Sequence, residues 1–356
     1  MYKILLTIFM ITFSYSQFDW DLDGVPVRQG YHVEWFRGGD ISSDGAMFIV
    51  WSDTRTSSRN IYIQKVDADG NVLWTDGGIL ISGGEGRQED PIIIADNNGG
   101  AYISWRSYAN DSLYGELYIQ HVSSDGTLSW NEKLISNSTY IRVNSQQNMC
   151  SDLQGGTYVS WYEDASAGDG YYYIVHIDSQ GNIVGPAPII QTQENYGNVS
   201  LESAGNGDAA IAWKQGQTDS EDVYSQRVGI SSDSIVKQWN GGQPLLVCDA
   251  VGKQTSTKVT YYSDEYVVVV WEDWRSDDNL TAIGGNFIDN DGNLVFSEGN
   301  DIVFTNDQPT PLFPRVKASS DGAFVVWLSA ADVHYVQKIL PSDISVWSSP
   351  VSLSTS

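Results

Sequence analysis

The chain has 356 residues, with 19 Lys and Arg against 45 Asp and Glu; the formal charge of −26 and pI near 4.2 repel polyphosphate backbones and anionic lipid headgroups. Nucleic acid is therefore excluded as a partner. Hydrophobic residues at 41%, aromatics at 12%, 34 glycines and only 18% charged residues exclude a disordered or helix-built chain and point to an all-β, turn-rich protein.

Residues 1–16 read as a signal peptide: Met1-Tyr2-Lys3 is a short basic end, Ile4 to Phe13 an apolar run, and Ser14-Tyr15-Ser16 a small-x-small cleavage site. Cleavage after Ser16 leaves residues 17–356 as one domain, secreted or held at the cell surface. No later apolar run approaches the ~20 residues of a membrane span. Cys150 and Cys248 are the only cysteines, too few to staple a chain of this size, and each is expected as an isolated core residue.

From there the chain repeats. A tryptophan ending an apolar strand recurs at Trp51, Trp105, Trp161, Trp213, Trp271 and Trp327, at separations of 54, 56, 52, 58 and 56. An Asp-, Asn- and Gly-rich hairpin turn precedes each one, such as Ser43-Asp44-Gly45 or Asp96-Asn97-Asn98-Gly99-Gly100. After it come a polar loop and a strand carrying Tyr-x-Gln in four units (Tyr62/Gln64, Tyr118/Gln120, Tyr224/Gln226, Tyr335/Gln337). A second tight turn, such as Asp67-Ala68-Asp69-Gly70-Asn71, leads into a fourth strand marked by Trp74, Trp130, Trp239, Phe296 or Trp347, with Gly185 in that place in unit three. Four short antiparallel strands per unit, without helical periodicity, leave a solenoid or a ring of blades as ways to remove sheet edges. A meander unit about twice as long as a solenoid coil selects the ring. The expected fold is an all-β β-propeller of four-stranded antiparallel blades, six in this chain, with the tryptophans packed between blades.

The fourth-strand signature appears once more at Trp20 to Val27, one strand more than six blades need. Either that strand closes the ring beside or in place of the C-terminal one, or a seventh blade takes its outer strand from residues 18–28.

Ile49-Val50-Trp51-Ser52-Asp53-Thr54-Arg55 followed by Ile61 to Trp74 resembles the tandem β-propeller repeats of secreted and cell-surface bacterial proteins, often type IX secretion cargo. The resemblance covers about residues 18–356 and implies the fold rather than an activity. The Trp-x-Asp-x-Arg signature is complete only in units one and five, and no sorting domain is visible. The turn from Asp69-Gly70 to Trp74 is also similar to the Asp-box of sialidase-type propellers, one glycine position displaced. The arginine cluster, acid and tyrosine nucleophile of a sialidase cannot be assembled from this sequence, so no catalytic residue is assigned.

Features shared by every unit are expected to be scaffold: Gln satisfying backbone groups between blades, the Asp/Arg pair cross-linking neighbours, and the four histidines filling strands. No metal ligand or cofactor is assigned; calcium is possible only at the Asp67/Asp69 and Asp289/Asp291 turns, which lack the further carboxylate of a tight site. In this strand order the second-to-third and blade-to-blade connections share one face, and they are longer and variable, so recognition is expected there. The ligand-binding candidates are Tyr108, Asp111 and Tyr114 in unit two, Asp164 and Tyr171 in unit three, and Trp274, Arg275, Asp277 and Asp278 in unit five. Aromatics beside carboxylates suit a sugar, which needs an apolar ring to stack on and acceptors for hydroxyls. The expected partner is an extracellular glycan or protein. A glycan-cleaving enzyme and a spacer module of a larger surface protein are the alternatives.

Overall fold

Each unit folds into its own antiparallel sheet, because alternating β-branched and aromatic residues are broken at fixed places by turns that need positive φ. The computed structural model describes residues 26–27, 34–56, 58–83, 86–109, 112, 114–136, 141–142, 147–164, 170–192, 199–217, 219–275, 281–297, 301–305, 310–329 and 331–353. Blade one comprises Glu34–Ile41, Met47–Asp53, Asn60–Val66 and Ile79–Ser82. Blade two has Arg87–Ala95, Ala101–Tyr108 and Tyr114–Val122, with an outer strand in two pieces, Lys133–Leu134 and Ile141–Arg142. Blade three is Gln147–Ser151, Thr157–Asp164, Gly170–Ile177 and Ile183–Thr192. Blade four has Ser200–Gly205, Asp208–Gln217 and Ser220–Ser231, again with a divided outer strand, Ser234–Lys237 and Leu245–Cys248. Blade five is Gln254–Tyr262, Tyr266–Asp273, Ala282–Asp289 and Ile302–Thr305; blade six is Pro311–Ser319, Gly322–Ser329, His334–Ile339 and Val351–Ser352. The protein is a six-bladed β-propeller, as the periodicity predicts.

Five of the six repeated tryptophans pack between blades. Trp105 closes a core on Phe48, Val50, Ile61 and Ile63 of blade one, and Trp161 on Tyr102, Leu117 and Ile119 of blade two. Trp213, Trp271 and Trp327 do the same at the next three junctions. Five of the six indoles are stacked on the strand-three tyrosine of their own blade: Trp51–Tyr62, Trp105–Tyr118, Trp161–Tyr173, Trp213–Tyr224 and Trp327–Tyr335 have centroids 6.0–6.1 Å apart. Blade five has Gly284 opposite Trp271, and a Cβ there would lie 2.2 Å from the indole Cε2.

The glutamines work within a blade rather than between blades, which corrects the expectation. Gln226 donates from Nε2 to the Gln243 carbonyl at 2.7 Å and accepts the Trp239 amide at 2.9 Å, fastening strand three to strand four at the marker aromatic. Gln64 and Gln337 fasten Trp74 and Trp347 in the same way, and Asn286 does so for Phe296 in blade five. The Asp/Arg pairs also act mainly within their own unit. Arg55 binds Asp53 and the Gly77 carbonyl and lies 3.7 Å from the Tyr62 ring centroid. Neighbouring blades are fastened at the rim instead, where the Trp239 indole donates to the Asn290 carbonyl at 3.2 Å and packs on Gly292, whose φ of 87° belongs to the next blade's tight turn.

One junction differs from the other five. At the others, the facing second-strand residues, such as Tyr102, Val159, Ala210, Val268 and Val325, are fully buried. Between blade six and blade one, Phe324, Val326 and Leu328 on one side and Met47 and Ile49 on the other are only half-buried, and no core cluster among the described residues joins the two blades. Val351–Ser352 holds the outer place of blade six beside Tyr335 and Val336, so the C-terminal strand is not replaced by the N-terminal one. Residues 1–25, where the signal peptide and most of the surplus strand are expected, lie outside the described residues. Local opening is easiest where least apolar surface is buried. Amides of Phe324–Leu328 are therefore expected to exchange with deuterium at least tenfold faster than those of Val268–Val270, measured by native-state hydrogen exchange; equal protection would mean that the junction is as tightly closed as the rest.

Candidate recognition face

The tight turns gather on one face. Their closing backbone bonds run from the amide at the start of the loop to a carbonyl four residues on, as in Asp96 to Gly100, Asp67 to Asn71 and Asp289 to Asn293. On the opposite face the second-to-third connections vary, but not all are long: Gln217 pairs directly with Ser220 in blade four, and Ser329 bonds Val333 in blade six. The longer ones in that position belong to blades one, two, three and five.

The candidates fall in three different blades. Tyr108 is a correction: strand two of blade two runs through it, and its ring is fully buried beneath Gly115 with Arg87 5.2 Å from its centroid, so no ligand can reach it. Tyr114 opens strand three of the same blade and is 38% exposed. Tyr171 is half-buried opposite Glu163 and lies 6.0 Å from Tyr173, which is itself stacked on Trp161. A ladder of three rings thus runs from the blade core to this face. Trp274 is half-buried, and the Lys253 ammonium lies 4.9 Å from its ring centroid. Arg275 is committed to Asp273 at 2.9 Å and to Asp301 at 3.2 Å; burial lowers its pKa, but the two carboxylates outweigh that and raise it. Asp111, Asp277 and Asp278, and the side chain of Asp164, lie outside the described residues.

Acid–base groups elsewhere are absorbed by a repeated pairing that the sequence reading missed. The residue after the strand-three glutamine, or its counterpart, binds an aspartate of the blade's first turn: Lys65 to Asp44, His121 to Asp96, His176 to Asp152, Arg227 to Asp208 and Lys338 to Asp321, at 2.8–3.0 Å. His121 and His176 are thus paired rather than filler. Ser129 at 2.7 Å from His121 Nδ1 completes a hydroxyl–imidazole–carboxylate row with Asp96, but lysine or arginine fills the same slot in other blades, which marks the row as scaffold. Asp96 and Asp152 are raised by burial, yet the histidine and two backbone amides hold each below the ordinary carboxylate value.

Both carboxylate oxygens of Asp67 and of Asp289 accept bonds inside their own turns, from the amides two and four residues on and from the side chains of Asn71 and Asn293. That is turn chemistry. Among the described residues no three His, Cys, Asp or Glu side chains are grouped to hold a metal ion. Cys150 and Cys248 are buried free thiols, and burial, as the largest cause, pushes Cys248 up to about 12.

No protein-family model matches the chain, and no curated protein does. Similar folds occur among solved structures. A chain from a study of two prolyl endopeptidases aligns with a TM-score of 0.50 at 13% identity over 90% of this chain; this chain spans 43% of its length. A PL25 ulvan lyase aligns at 0.47, with 10% identity, covering 88% of this chain and 81% of that one. An Aleuria aurantia lectin aligns at 0.41, with 12% identity, covering 88% and 93%. At these identities the likeness is one of fold.

Proposed function

We propose that this protein is a non-catalytic β-propeller, exported under the direction of residues 1–16, that binds glycan through the face of its longer second-to-third connections. The observation that carries this reading is the Trp161–Tyr173–Tyr171 ladder, with Tyr114 exposed on the neighbouring blade at the same face. A ring held upright by a ring beneath it loses little freedom when a pyranose face stacks on it, and Glu116, two residues from Tyr114 on the same strand, supplies an acceptor nearby. Tyr118 donates to Glu116 at 3.0 Å, and burial together with that carboxylate pushes its phenol up to about 12, so it stays a neutral donor at neutral pH.

A glycan array probed with residues 17–356 tests this. The wild type is expected to retain at least one glycan class, and Tyr171→Ala or Tyr114→Ala to weaken retention about tenfold, the scale of an aromatic stack. Unchanged retention by both variants would remove this face as the site. Release of shorter saccharides from a bound glycan would identify an enzyme instead.

A further inference from the structure

Blade five breaks the pairing that every other blade keeps. Its slot after Asn286 holds Phe287, fully buried, so the first turn of this blade, Asp264-Glu265, receives no cation from strand three. Among the described residues neither carboxylate has an ion-pair partner; the Asp264 carboxylate accepts the Tyr261 hydroxyl at 3.0 Å, while its backbone carbonyl accepts the Asn290 side chain at 2.8 Å. Around it the aromatic content rises. Tyr262 and Tyr266, paired across the hairpin, both stand edge-on to Phe287 at 5.7 and 5.9 Å. With Leu340–Ser342 of blade six they wall an open recess of about 620 Å³ on the tight-turn face.

What the recess lacks is visible in its counterparts. In blades one and six the ammonium of Lys65 or Lys338 sits 3.0 or 2.8 Å from a turn carboxylate and 5.2 or 5.7 Å from the centroid of Phe48 or Phe324. The repeat therefore builds a carboxylate-and-aromatic seat for an ammonium and fills it from within. In blade five Phe287 takes the cation's internal slot and leaves the turn carboxylates facing outward; we propose that the recess beside them takes a lysine side chain of a partner polypeptide instead, the turn carboxylates neutralising the ammonium and the tyrosine rings covering its methylenes. The charge of −26 favours the approach of such a partner. The site lies on the face opposite the glycan ladder and stands independently of it.

The test is a titration of the isotopically labelled protein with Nα-acetyl-lysine methylamide, followed by amide and tyrosine-ring chemical shifts. Shifts should localise to residues 262–266 and 340–342. They should vanish with the norleucine analogue, and binding should weaken about tenfold in the Asp264→Asn/Glu265→Gln double variant and in 0.5 M salt. Phe287→Lys, which supplies the internal cation, should block the shifts; Tyr266→Ala serves if that variant does not fold. Shifts spread over the whole acidic surface, or unaltered in the double variant, would overturn the proposal. So would glucosamine moving the same resonances at lower concentration than the lysine probe, since the amine would then be read from a sugar.

Discussion

Trp271→Ala is expected to lower the unfolding free energy by about 3–5 kcal/mol, the range for truncating a fully buried indole whose cavity cannot collapse. Collapse is blocked on both sides. Gly284 beneath the ring has no side chain to move in, and the preceding blade presents mostly short side chains, Ala204, Ala210, Ala212, Ala250, Val223, Val247 and Cys248, with Trp239 at the edge. The loss should also exceed that of Trp51→Ala by more than 1 kcal/mol, because Trp51 lies in none of the inter-blade core clusters and is covered mainly by its own unit, through Tyr62, Arg55 and Gly78. Urea unfolding followed by circular dichroism measures both. Equal costs would show that the junction of blades six and one is packed like the rest, against the half-buried Met47, Ile49, Phe324 and Val326.

The same pair shows how far the sequence carries. A tryptophan every fifty-odd residues, an Asp-Gly turn before it and Tyr-x-Gln after it specify blade, strand order and inter-blade packing, because each depends on side-chain size and on periods of two. Partners across a turn are less legible. Lys65, His121, His176, Arg227 and Lys338 do the same job with three side-chain types, so a search for identical residues passes over them, and Phe287 then looks like ordinary core instead of a break in a rule. Tyr108 misleads for a related reason. Followed by Ala109 and Asn110 it reads as loop, yet strand two extends to it, and Gly115 on the next strand clears the space its ring occupies. The looser junction has no sequence signal, since Phe324, Val326 and Leu328 are as apolar as their buried counterparts.

Acidification is expected to stabilise the protein first and unfold it afterwards. From pH 7 toward the pI near 4.2 the surplus of exposed carboxylates is neutralised, and self-repulsion falls. Asp222 adds to this rise: burial, and then Asp249, raise its folded pKa, so the folded state binds the proton more readily and gains stability as pH drops. Below about pH 4 the sign reverses. Asp44, Asp53, Asp96 and Asp152 are all held below the ordinary carboxylate value, Asp44 by Lys65 first, and the other three, against burial that raises them, by Arg55 or a histidine together with backbone amides. Such groups contribute stability that is fully present above the unfolded pKa and is lost as pH falls through the folded one. The urea midpoint should therefore peak between about pH 4 and 5 and drop steeply toward pH 2.5. In 1 M salt the rise should flatten while the fall persists, since exposed charges are screened and half-buried pairs much less so. Asp96→Asn and Asp152→Asn should each lower the peak and shallow the acid limb, as the lost pair no longer titrates. A midpoint that declines steadily from pH 7, or an acid limb as steep in both variants as in the wild type, would mean that the turn aspartates do not hold the hairpins they bind.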